Sequence, residues 1–488
     1  MAPPRSSSSQ TGCPHSVLTS SPSPYALSSG HQPYTEHRLL TAITGERKHV
    51  ADAASQYHLA KFPAPLVLPG DAIDLDPKYP SQSFRSWVNE GERNPITAEG
   101  HVIYVAAPPE IDRSVEFMDD WRRPNIESSM AEQQAAFVTD VDVRSLISYL
   151  QAFYYGLEVK PLPVPLTFTT WDESIKSKSV SKSRKTRDIQ AVALSNGTEA
   201  TRVRVRRTPP PNANSEGAFP YSHQLNLNDM TDMALSMLPS DAYALLFVSS
   251  HDMYESEDDD FCCGRAWGAS RVAIVSSARY QPCLDDVHGV DREHIWPASH
   301  CTDFVDRLSG LDHSQRNRRN GAKKRTVADR QASGAQSAAT DQPLTRAVSA
   351  ASLSAVDING VFLFRLCRTA SHELGHCFGL DHCMYMACMM QGTASMAEDM
   401  RQPPYLCPVC EAKVAWAVVA EPQTGGRAKR AADQTREKNW DARTEDDKRE
   451  MQLVKWKKER WGAIETFCEQ VSGAFAPLLA WSTAILAA

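Results

Sequence analysis

The sequence predicts an α/β domain, on three observations. Two continuous apolar runs, HVIYVAA (His101–Ala107) and YALLFV (Tyr243–Val248), have the length and β-branched or aromatic content of buried strands. Between them Val143, Leu146, Ile147, Leu150, Phe153 and Tyr154 recur at helical spacing, and Gly156 follows as a stop signal. A further helix is expected to start near Val361. Its buried face is traced by Leu363, Leu366, Ala370 and Leu374, and the same stretch carries His372, Glu373 and His376.

Taken in order, residues 1–35 are rich in Ser and Pro without apolar periodicity, which predicts a disordered tail. Residues 36–96 read as an extension packed on the main domain. One short helix is expected within 36–60, and the proline-rich run from Phe62 to Thr97 is expected to lie extended over the surface, a clamp without chemistry. Residues 97–420 form the main domain. Val159–Phe168 and Thr201–Arg207 are expected as two strands of one sheet, joined by a Lys/Arg/Ser insertion at about 176–200. A helix fits Asn228–Leu238, Tyr243–Val248 is central in the sheet, and Phe261–Gly268 with Arg271–Ser277 supply further strands. The acidic run Glu255–Asp260 lacks the alternating ligands and glycine of a calcium loop and reads as solvated. Residues 306–350 turn to Arg, Ser, Gln and Ala with no apolar stripe, and are expected to be a disordered insertion. Residues 421–488 read as a charged linker and a C-terminal helix carrying Leu453, Trp456, Trp461, Ile464 and Phe467 near one face. The apolar run Ala474–Ala488 is too short to span a bilayer, contains Pro477, and should pack as a helix on the domain.

Composition narrows the function classes. The chain has 488 residues, room for one large domain or two to three average ones, and its 42% hydrophobic and 23% charged content is that of a globular protein. A net charge of −7 gives no electrostatic reason to expect nucleic acid as partner. The first residues lack the apolar core of a signal peptide, so a cytoplasmic protein is expected, without a membrane partner and monomeric, with the nucleus as a second location. The 12 cysteines should then be mostly reduced, which favours metal over disulfides.

The chemistry concentrates between Ser371 and Cys410. His372, Glu373 and His376 form H-E-x-x-H, which places both imidazoles one turn apart on one helix face with a carboxylate beside them. Gly379 stands where the helix must stop, and a reversal there would bring His382 back as a third nitrogen. Three protein ligands and an open position make a catalytic zinc site. Cys383 and Cys388, then Cys407 and Cys410, form two short-spaced pairs joined by a loop, the spacing of a closed Cys₄ zinc site. Two zinc ions per chain are therefore expected. Two rivals for the third ligand exist: Glu398, about twenty residues beyond the motif, and a thiolate from Cys377 or Cys383, of which Cys383 fits the four-cysteine register better and Cys377 is expected to pack in the core. The remaining cysteines, Cys13 and Cys301 among them, show no metal-ligand spacing. The tandem Cys262–Cys263 draws notice only because it would flank an edge strand.

The full string H-E-x-x-H-x-x-G-x-x-H-C-x4-C-M-x17-C-x2-C resembles the archaemetzincins, a family of metzincin-like zinc metallopeptidases. Weaker matches, including Phe62–Asp71 and Asp291–Cys301, extend the resemblance over roughly residues 62–415, apart from the insertions at 178–200 and 306–350. It implies a compact metzincin-like domain with a mixed β-sheet, an active-site helix and a Cys₄ zinc loop. It further implies that Met389 lies under the three imidazoles as a Met-turn and that the edge strand beside the cleft pairs with an extended peptide or protein substrate. In that mechanism zinc on the three histidines activates a water, with Glu373 as general base, in an aminopeptidase-like enzyme or one acting on small peptides. The alternative from another class is a zinc-stabilised scaffold or peptide-binding module with weak turnover. An intact Glu373 argues for the enzyme.

Overall fold

The computed structural model describes residues 13, 15, 17–46, 57–126, 137–171, 189–209, 219–310, 342–354, 357–422, 440–471 and 473–487. Its strands in chain order are β1 (Val102–Ala106), β2 (Glu110–Ile111), β3 (Glu158–Pro161), β4 (Thr167–Thr169), β5 (Ala191–Ser195), β6 (Ala200–Arg207), β7 (His223–Asn226), β8 (Ala242–Ser249), β9 (Met253–Tyr254), β10 (Gly264–Trp267) and β11 (Val272–Ser276). The longer helices are α1 (Glu36–Thr44), α2 (Val143–Phe153), α3 (Leu227–Ser236), α4 (Pro343–Leu353), α5 (Ile358–Cys377), α6 (Pro408–Val419), α7 (Trp440–Gln470) and α8 (Ala476–Leu486).

The central sheet is mixed, in the order β10-β11-β8-β1-β3. The four strands from β11 to β3 run parallel, and β10 is added antiparallel at the edge. β1, β8 and β11 are buried along their whole length because both sheet faces are covered. Alternation sorts their side chains. Ile103, Val105, Leu246, Val248, Ala273 and Val275 join α2 and α5 in the main core. Val102, Tyr104, Leu245, Phe247, Val272 and Ile274 face α3 and the second sheet. That second sheet has the order β2-β4-β5-β6-β7-β9.

Four expectations need correction. Val159–Phe168 is not one strand: β3 ends at Pro161 in the central sheet, and β4 belongs to the second sheet, with β5 and β6. The insertion expected at 176–200 includes β5, whose Val192 and Leu194 are buried opposite β6; residues 172–188 lie outside the described residues. The segment 306–350 is not one disordered stretch, since it begins inside the helix Thr302–Leu308 and ends in α4, which buries Leu344 and Ala347. Residues 311–341 lie outside the described residues. The tail expected over 1–35 is ordered from residue 17 on. Thr19 N–H donates to the His300 carbonyl at 2.9 Å, Ala64 N–H to the Ser20 carbonyl at 2.9 Å, and Ser23, Ala26 and His31 are buried. Small side chains and backbone hydrogen bonds hold this segment, so it has no apolar period to read.

Much of the expected charged linker (423–439) lies outside the described residues. Beyond it Trp456, Trp461, Ile464 and Phe467 of α7, with Leu478 and Trp481 of α8, enter the same core as α2 and α5.

A buried histidine makes the fold sensitive to acid. His251 is 2% exposed, with Nε2 on the Met118 carbonyl at 3.2 Å. Burial pushes its pKa down to about 4, helped by Arg122 and opposed by Asp119. Its neutral form therefore stabilises the protein fully above the free imidazole value of about 6.5, and this contribution is lost progressively as pH falls from there to about 4. Between pH 7 and pH 5 the loss should be about 2 kcal/mol. Denaturant melts at the two pH values should show a smaller drop for His251→Gln than for the native chain, and parallel drops would remove His251 as a cause.

Candidate metal centre

α5 starts on the side chain of Asp357, which accepts from Asn359 N–H, and runs twenty residues with Leu363, Leu366, Ala370 and Leu374 in the core. It stops at Gly379, where φ is +74°. Leu380 N–H donates to the Gly375 carbonyl at 3.1 Å and Gly379 N–H to the His376 carbonyl at 2.9 Å, the paired bonds of a Schellman cap. The left-handed turn and the space both require glycine, since a Cβ there would lie 2.7 Å from Arg93 Cγ.

The reversal brings three imidazoles together. One ligand atom each from His372, His376 and His382 lies within 4.8 Å of the others. His372 Nδ1 lies 2.7 Å from the Met389 carbonyl and His376 Nδ1 lies 2.6 Å from the Leu380 carbonyl. Carbonyl oxygens only accept, so both Nδ1 atoms carry the proton and both Nε2 atoms are left as lone pairs. Those Nε2 atoms are 3.1 Å apart. Two lone pairs face each other across that gap, and a shared cation satisfies both. Burial and the neighbouring rings hold the pKa of His372 well below the usual imidazole range, and that of His376 at about 4. The donors are thus neutral and suited to a borderline-soft ion such as zinc.

Glu373 is buried beside this cluster, 8% exposed, and desolvation pushes its carboxyl up to about 8, with Arg265 pulling the other way. β10 closes over it. A Cβ on Gly264 would sit 2.8 Å from Glu373 Oε1, so the edge strand passes as close as a backbone without a side chain allows. A cleft of about 770 Å³ opens here, lined by the three histidines, Glu373, Cys262–Ala266 and Tyr79.

A second cluster follows without a break in the chain. Cys383, Cys388, Cys407 and Cys410 bring four sulfurs within 4.8 Å of one another, all buried. Cys383 Sγ and Cys407 Sγ are 3.6 Å apart, and Cys407 N–H donates to Cys388 Sγ at 3.2 Å. Hydrogen bonds from the three neighbouring thiols hold Cys383 well below the usual thiol range. Four sulfurs converging on one buried point fit a single thiophilic ion. Met389 is buried between the clusters, where Ser371 Oγ donates to its sulfur at 2.9 Å and its carbonyl orients His372.

Neither Glu398 nor Cys377 joins the group of three histidines. Glu398 accepts from Ala72 N–H at 3.0 Å and Ala394 N–H at 2.7 Å, which occupies its carboxylate away from the histidines. Cys377 is buried in the main core, where desolvation raises its thiol pKa.

Several supporting residues were not legible in the sequence. Gln82 Nε2 donates to the Gly379 carbonyl at 2.9 Å and its Oε1 accepts from Asp381 N–H at 3.1 Å; Trp87 Nε1 donates to the Phe378 carbonyl at 2.8 Å. Lys413 Nζ of α6 in turn holds Gln82 at 2.7 Å. The Phe62–Thr97 stretch, expected as a surface clamp, is thus what fixes the turn that carries His382. Polar contacts spaced by hundreds of residues leave no local pattern to find.

Comparison with known proteins locates the same segment. The family model described as peptidase family M54 matches residues 350–415. The chain is 24% identical to human Archaemetzincin-2 over 335 residues, 66% of this chain and 70% of that protein. It is 41% identical to the Archaemetzincin of Aeropyrum pernix over 56 residues, 12% of this chain and 31% of that one. A crystal structure of Archaemetzincin from Methanopyrus kandleri aligns with a TM-score of 0.27 at 15% identity, covering 66% of this chain and 97% of that one.

Proposed function

We propose, for a chain that belongs to the archaemetzincin family and is a zinc metallopeptidase, a division of labour between its two donor clusters and its edge strand. His372, His376 and His382 would hold the catalytic zinc, and Cys383, Cys388, Cys407 and Cys410 a structural one. The observation that carries this is the pair of unprotonated Nε2 atoms 3.1 Å apart, each with its Nδ1 committed to a carbonyl. When bound, zinc supplies the Lewis acidity that activates water and polarises a peptide carbonyl.

The protein's own residues do the rest. Glu373 takes a proton from the attacking water and returns it to the departing amine nitrogen. Its carboxyl rests at about 8 because it is buried, and a cation beside it draws that value down, so that the ionised form can act as base. Met389 orients His372 through its carbonyl and supports the site from beneath. β10 offers its free edge to an extended peptide as one more strand, recognition that depends on main-chain pairing and tolerates varied side chains. Glu90, Glu92 and Asp381 also line the cleft and provide carboxylates for a free α-ammonium group, which favours short peptides cut near their amino end.

Metal-loaded protein profiled against a peptide library, each peptide with a free or an acetylated amino end, tests this reading. Cleavage that a chelator stops, that zinc restores and that acetylation weakens is the expected result. No cleavage of any peptide by zinc-loaded protein would leave the scaffold reading.

Gly264 gives a narrower test. Gly264→Ala should push the Glu373 carboxylate out of position, and a displacement of about 1 Å can cost about 10²-fold in rate. Because Gly264 is only half-buried at a sheet edge, the melting temperature should hardly move. An unchanged rate would mean that Glu373 has room to spare.

A further inference from the structure

A third cluster of metal-binding side chains lies away from the cleft. One ligand atom each from Cys13, His294 and Cys301 falls within 4.8 Å of the others. The two sulfurs are 3.5 Å apart. The His294 side chain is 4% exposed, and its Nδ1 lies 2.9 Å from Asp291 Oδ2. That carboxylate accepts the Nδ1 proton and leaves Nε2 as a lone pair, which has no hydrogen-bond partner among the described residues. Carboxylate support of this kind is how metal-binding imidazoles are usually oriented. His15 stands edge-on to His294, ring centres 5.1 Å apart, and its buried Nε2 is also without a partner among the described residues. The His294 nitrogen and the two thiols thus meet at one place, with the His15 ring standing beside His294 just outside that group.

We propose that Cys13, His15, His294 and Cys301 form a third zinc site, of the Cys₂His₂ kind. Binding releases the two thiol protons to solvent, and the two thiolates then balance the charge of the ion, so the buried site is neutral. The ligands come from two strands of chain already stitched together: Leu18 bridges Cys301, Thr302 N–H donates to the Val17 carbonyl at 2.9 Å, and Leu18 packs with Leu66, Leu68, Phe304 and Val305. The ion would staple the N-terminal segment to the body of the protein. That segment then runs on to Ala26, which shares a buried apolar cluster with Val67, Ile73 and Met384 of the Cys₄ loop.

The test is elemental analysis of the full chain purified under reducing conditions, set against Cys13→Ser combined with His15→Ala. The double variant should hold one zinc equivalent fewer, with peptidase activity retained. Its altered residues lie at the edge of the fold; Cys301→Ser should show the same loss, and the first variant stands if the second fails to fold. Failure of the two-cluster reading would lower the counts of both proteins together, whereas this proposal rests on their difference. Equal zinc in native and double-variant protein overturns it. So does a denatured thiol count two short of 12 in native protein kept without reductant and with no extra zinc, because Cys13 and Cys301 would then be joined as a disulfide.

Discussion

Glu373→Gln should lower peptide hydrolysis by about 10²–10⁴-fold, the scale of a positioned general base. The change keeps the size of the side chain and removes its ability to take a proton. All three histidines stay in place, so zinc content and peptide affinity should match the native protein. The substituted amide would also sit uncharged in a pocket where burial already disfavours the carboxylate, so the melting temperature should hold or rise slightly. The decisive measurement is single-turnover cleavage of a tight-binding peptide at matched zinc content. Equal rates for the two proteins would remove Glu373 from the mechanism and leave a peptide-binding module.

The second large effect belongs to the cysteine cluster. Cys407→Ser should cost one zinc equivalent and much of the stability. Structural zinc in small domains contributes about 10–16 kcal/mol of apparent binding free energy, comparable to the whole stability of a typical domain. Cys407 is fully buried, ends the loop from Cys388 and starts α6, so a serine there leaves three thiols without their ion inside the core. The loss would spread to catalysis, because Cys383 directly follows His382 and anchors it. His382→Ala is the contrast: it should lose the other zinc and the activity while the melting temperature stays close to native. A Cys407→Ser protein that melts like the native chain would deny the cluster its structural role.

How much was legible follows from how local each signal is. The α5 stripe, the cap at Gly379 and both donor clusters all lie between Leu363 and Cys410, and the structure brings together the atoms that the spacing pointed to. The central strands β1 and β8 were legible because burial on both faces demands an unbroken apolar run. α4 was missed because its buried face is Leu344, Ala347 and Val348, too small and short to stand out from an Ala/Ser-rich stretch. β5 was missed because it lies beside a basic run, and its partner β6 (ATRVRVRR) fully buries only Val203.

The sequence by itself determined which imidazoles converge at the cleft, and that Glu373 stands beside them, because a helix repeats every 3.6 residues and a glycine stop returns the chain at a known distance. Only the tertiary structure decided which carbonyls set the histidine tautomers, that Gln82 and Trp87 pin the turn before His382, and that Cys13 and His15 meet His294 and Cys301. Contacts that close loops of hundreds of residues carry no spacing. They exist because burying the apolar faces of the sheet and helices brings those segments together, and the polar groups carried along must then find partners.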